Sequence, residues 1–134
     1  MRSPAQDDAP LRLRRVWQGI GLALIALVIY LSLTPDPIVL PGERGDKYGH
    51  VIAYGTLMFW FAQLHMRIAV RVIWALIFIA MGIGLEFEQG LTDYRTFEVQ
   101  DMVADAMGVL VGWIAAPPRS PHLIRFVEAR FLAV

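Results

Sequence analysis

The chain has 134 residues, 57% of them of hydrophobic type, and its 12 basic and 12 acidic residues cancel to a formal charge of zero. A mean hydropathy of +0.52 with balanced charge excludes a disordered chain, which needs low hydrophobicity, and a nucleic-acid module, which needs a surplus of Lys and Arg. It points to one membrane-embedded domain, because a soluble globule of this length must clothe itself in polar side chains. With no cysteine, disulfides, thiolate catalysis and sulfur-ligated metals drop out.

Residues 1–15 carry Arg2, Arg12, Arg14 and Arg15 and read as a cytoplasmic N-terminal segment. Val16 to Leu33 then runs 18 residues without a charge, close to the ~20 that cross a ~30 Å hydrocarbon core as a helix. The run exceeds the ~7 to 15 residues of a signal-peptide core, so it reads as a retained helix rather than a cleaved leader. Pro35, Pro37 and Pro41 break the chain into a loop. Three further apolar stretches follow at Tyr48 to His65, Val70 to Leu91 and Val99 to Ala116, each bounded by charges or loop-forming residues. A soluble helical bundle is the competing reading. Against it, Val72 to Leu85 is apolar on every helical face, unlike a surface helix of a small soluble domain.

The fold class expected is therefore an all-α integral membrane protein with four transmembrane helices over residues 16–116, joined by short loops. Residues 117–134 form a cytoplasmic tail. In it, Leu123, Ile124, Phe126, Val127 and Phe131 share one helical side opposite Arg125 and Glu128, which suits a helix lying on the inner membrane surface; a terminus without fixed structure is the alternative. Sorting bases by span end places Arg2, Arg12, Arg14, Arg15, Arg67, Arg71, Arg119, Arg125 and Arg130 on one side and Arg44, Lys47 and Arg95 on the other. That asymmetry puts both termini in the cytoplasm. Trp17, Trp74 and Trp113 then fall near the inner interface, and Tyr30, Tyr48 and Tyr94 near the outer one.

Polar groups inside apolar spans are expensive, so their placement is informative. Asp46, Lys47 and His50 open the second span, Glu86 and Gln89 close the third, and Asp101 and Asp105 open the fourth; in this topology all of them lie at outer ends. Asp46, Lys47, His50 and Tyr54 fall within an arc of about 100° on one helix face. Glu86 and Gln89 also share a face, with Glu88 turned roughly 160° away. Asp101 and Asp105 stand one turn apart above Gly108 and Gly112, a small-residue seam that lets another helix approach closely. Lys47 and Arg95 are the cations available to pair with Asp46, Glu86, Asp101 and Asp105. One His with several carboxylates could bind a hard divalent ion, but the spacing matches no metal signature, and no metal or cofactor is expected. His50 beside a carboxylate could serve as a general base, although G-x-S-x-G, H-E-x-x-H and the phosphate-loop patterns are absent.

The order Ser32-Leu33-Thr34-Pro35, then Asp46-Lys47-x-x-His50-x-x-x-Tyr54, then Glu86-x-x-Gln89, then Arg95 and Asp101 with Gly108 and Gly112, resembles the VanZ-like family of small bacterial membrane proteins. The resemblance covers roughly Tyr30 to Trp113. It implies a multi-pass protein of the bacterial inner membrane, linked to the cell envelope and to susceptibility to the glycopeptide teicoplanin, with no reaction attached to the motif. The chain departs from the family pattern at Asp105, commonly Asn, at Glu98, commonly Asp, and at Glu88, usually apolar. Three functions follow: a protein whose outer polar cluster binds an envelope lipid or lipid-linked headgroup, a membrane scaffold in which that cluster only locks packing, and an intramembrane enzyme acting on lipid phosphates. Membrane lipids are the expected partners, and nucleic acid is not; the oligomeric state is left open.

Overall fold

The computed structural model describes residues 10–132. Among them are five helices and no strand: α1 Arg14–Leu33, α2 Gly45–Leu64, α3 Ile68–Gly90, α4 Val99–Ala115 and α5 Leu123–Phe131. The long helices coincide with the four apolar stretches to within three residues at every end. Arg2, counted above among the bases of one side, lies outside the described residues.

By length and composition, α1 and α3 can cross a membrane. The expectation of four such helices is not met on that measure, for a physical reason in each case. At 17 residues α4 is short, and α2 is diluted by Asp46, Lys47, His50 and Gln63. What α2 lacks in hydropathy it recovers in shelter, since α4, α1 and α3 all pack on it.

The most intimate pair is α2 with α4, and glycine is the reason. A Cβ at Gly108 would stand 2.6 Å from the Val51 carbonyl oxygen, and one at Gly112 would collide with the carbonyl of Gly55. Backbone therefore lies on backbone, the approach that small residues at this spacing permit. Around that contact Tyr54, Leu57, Met58, Phe61, Phe78 and Val109 form the buried core. Each fully buried side chain of this size contributes about 1.5–3 kcal/mol.

Helix direction alternates, so like ends collect. At one end Gln89, closing α3, bonds Ser32, closing α1, while Lys47, opening α2, bonds Asp101, opening α4; this is the acidic end. At the opposite, arginine-rich end, α5 docks through Ile124, which packs with Leu11 and Leu64. Leu123, Phe126 and Phe131 face outward. Glu128, however, is buried rather than turned to water. The spacing of four between Ile124 and Glu128 puts both on the docking face. Trp17 and Trp74 likewise turn into the bundle. Trp17 stands 6.1 Å from the Trp60 ring, and Trp74 stands 4.1 Å from Phe61.

Candidate functional site

The first two turns of α2 place Asp46, Lys47 and His50 along one face. The loop before them turns at Gly42, whose φ of 106° suits glycine. It then passes so close to α2 that a Cβ at Gly45 would collide with the Leu40 carbonyl. Ile38 and Val39, just before this approach, line the cleft described below.

Lys47 is the electrostatic hub. Its ammonium donates to Asp46 at 2.8 Å, to Glu98 at 2.5 Å and to Asp101. These three carboxylates bring oxygens within 4.8 Å of one another, a geometry able to hold a metal ion, and the ammonium bonds all three. One turn deeper, His50 Nδ1 lies 2.7 Å from Asp105 Oδ1, and Nε2 lies 3.4 Å from Asp101 Oδ2. Carboxylates facing both ring nitrogens fix the orientation of the imidazole. Gly82 of α3 makes this possible, because a Cβ there would come within 2.6 Å of the Asp105 carboxylate.

Glu86 does something different from the ion pairing expected of it. Its Oε1 accepts the backbone N–H of Glu98 at 2.5 Å, which caps the start of α4 from another helix. That is an anion at the positive end of a helix dipole, with an otherwise orphaned donor satisfied. Gln89 and Arg95 both donate to the Ser32 carbonyl, at 2.6 and 3.0 Å, and Tyr94 donates to Leu33 at 3.1 Å. These contacts hold the last carbonyls of α1. Arg95 therefore binds backbone, and among the described residues it makes no ion pair, contrary to the expectation that it would balance an acid. Glu88 is exposed and turned away from Glu86 and Gln89, both buried.

Beside this cluster lies a cleft of about 270 Å³. Polar side chains of Ser32, Asp46, His50, Gln89, Arg95 and Asp101, joined by Tyr54 and Glu98, line it. Val28, Leu31, Pro37, Ile38, Val39 and Ala53 add apolar surface to the same lining. Every residue singled out in the sequence cluster stands in this neighbourhood, but Lys47, Glu86 and Asp105 are not part of the lining itself. Gly82 was not singled out, and Glu98 was named only as a departure from the family pattern, not as a member of the cluster. The spacing of three between Glu98 and Asp101, which continues the acidic face of α4 backward by one turn, was the available signal for Glu98. For Gly82 there was none, since it is the tertiary approach of α4 that demands it.

Over 99 residues the chain is 29% identical to an uncharacterized protein of Schizosaccharomyces pombe, an alignment covering 72% of this chain and 59% of that protein. The aligned region is thus well short of the relative's full length. No solved structure matches. The VanZ/LLP1 family model matches residues 11–124, a span that runs from the approach to α1 to the docking residue Ile124 and includes the whole polar cluster, and on that match the chain belongs to the VanZ/LLP1 family.

Proposed function

We propose that this is a multi-pass membrane protein, α1 to α4 all crossing the bilayer, whose acidic end faces outward and binds the headgroup of an envelope lipid or lipid-linked compound. Four spans are supported by the outward faces of the shorter and less apolar helices. Val103, Met107, Leu110, Val111 and Ile114 of α4 and Ile52 of α2 are exposed, and a continuous apolar surface of this kind needs lipid or a partner to cover it. The arginine-rich end fits the cytoplasmic side. Cysteine labelling tests this cleanly in a chain that has none of its own: a cysteine replacing Glu43 should react with an impermeant reagent applied from outside. Reaction only after the cells are opened would reverse the orientation.

The observation that carries the binding reading is the mixed lining of the cleft. Charged and hydrogen-bonding groups together with aliphatic side chains suit an amphiphile's head and first carbons. His50, oriented by Asp105, favours a second reading in which the bound headgroup also undergoes an acid–base step. One experiment addresses both. Full-length protein is purified in mild detergent, and the lipid it retains is measured by mass spectrometry, for wild type and for His50→Ala. Binding predicts a headgroup class enriched over the host membrane and at least about tenfold less of it on the variant, the loss of one charged contact. The same spectra show catalysis as headgroup loss over time in wild type alone. Retention identical in both proteins would sink the binding reading. The envelope link, including glycopeptide susceptibility, stands or falls with the same variant assayed in cells.

A further inference from the structure

The cleft is unevenly charged, and the imbalance selects among headgroups. Its lining holds three carboxylates, Asp46, Glu98 and Asp101, against a single guanidinium, Arg95. Lys47 neutralises one of the three. It also reveals what this corner accepts, since a primary ammonium sits here bonded to all of them.

The Lys47 ammonium does not exhaust the acceptors. An ionised carboxylate offers about four lone-pair positions, and Lys47 engages one oxygen on each acid. The side chains of Asp46 and Glu98 remain 44% and 43% exposed, whereas that of Asp101 is 11% exposed. The first two therefore remain accessible to an incoming group. Arg95 is committed to the Ser32 carbonyl through one terminal nitrogen, at 3.0 Å. A guanidinium has five N–H donors in a planar fork suited to phosphate.

We propose that the cleft takes a zwitterionic amine–phosphate headgroup, its ammonium on Asp46 and Glu98 and its phosphate on Arg95, with the first acyl carbons along Ile38 and Val39. The inference rests on the headgroup reading above and narrows it to one charge class. A headgroup that is only anionic would meet the same Arg95 but bring no cation to the surplus acid, so its net negative charge stays uncompensated beside the carboxylates.

The test uses the full chain, delipidated in detergent and titrated with phosphatidylethanolamine or phosphatidylglycerol of identical acyl chains, with occupancy read by native mass spectrometry. The amine lipid should bind at least about tenfold more tightly than the anionic one, the worth of one charged hydrogen bond. Glu98→Gln and, independently, Asp46→Asn should narrow that gap, while Arg95→Gln should weaken both lipids. Thermal melting of each variant shows that it is folded. Soluble phosphoethanolamine displacing the lipid at similar concentration would keep the chemistry and identify a free compound as its source; failure to compete would identify the lipid. Equal or tighter binding of phosphatidylglycerol would overturn the charge selection while leaving headgroup binding intact, and retention of neither lipid would overturn both.

Discussion

The two ends of the bundle face the same problem and solve it differently. At the arginine-rich end, Arg71 and Glu128 serve the backbone. Arg71 is 4% exposed and donates to the carbonyls of His65, Ala62 and Pro117, each at 2.7 Å. It thus places a cation at the negative ends of α2 and α4. Glu128 accepts the N–H groups of Arg12 and Leu13 at 2.9 Å each and the Trp17 indole at 2.7 Å, placing an anion at the positive end of α1. Both are helix-end electrostatics in their favourable sense.

The acidic end begins the same way, with Glu86 capping α4 and with Gln89 and Arg95 holding the last carbonyls of α1. It then goes further. Asp46, Glu98, Asp101 and Asp105 take no helix cap of this kind and bond mainly to Lys47 and His50. Charge beyond what the helix ends require, gathered beside an open cleft, is the difference between the two ends, and it is what the proposed headgroup site rests on.

That contrast can be broken most severely at Arg71. Arg71→Ala removes the three hydrogen bonds to carbonyls and leaves those of Ala62 and Pro117 buried without this donor, a loss of about 3 kcal/mol or more. Thermal melting in detergent should fall steeply, or the protein should fail to accumulate, while Arg71→Lys recovers part of the loss because an ammonium cannot reach all three carbonyls in one plane. If Arg71→Ala melted like wild type, the structural assignment of that end would be wrong.

Next comes Glu128. Its removal as Glu128→Ala uncaps α1 and should lower stability by about 2 kcal/mol, without changing lipid retention in the cleft at the far end. The pH dependence sharpens the point. Burial opposes the charged form of Glu128, but the backbone N–H groups of Leu13 and Arg12 and the Trp17 indole outweigh it and hold the carboxyl below its usual value. A depressed folded-state value gives stability that is complete above the unfolded-state value of about 4.3 and is lost as pH falls through the folded one. The melting difference between wild type and Glu128→Gln should therefore shrink from pH 6 to pH 3. A gap that persists unchanged would mean that the carboxylate charge plays no part in the cap.

Much of this architecture was legible in the chain. The apolar runs marked the four long helices, and the spacings of three and four put Asp46 with His50, Glu86 with Gln89, and Asp101 with Asp105 on common faces. Which partner each polar group takes was not legible. Glu86 reads as an acid awaiting a cation and is instead a cap for a helix 12 residues away. Glu128 reads as the polar side of a surface helix and is instead the cap of a helix 115 residues earlier. Arg95 reads as a counterion and binds a carbonyl.

The physical reason is the range of the forces. Periodicity and hydropathy are properties of neighbours along the chain, and by themselves they determined that this protein is helical, where its long helices run and which end carries its acids. A hydrogen bond is decided within about 3 Å in space. Only the packing of α2 on α4, brought to backbone contact by Gly108 and Gly112, could decide which acids cap helices and which are left facing the cleft.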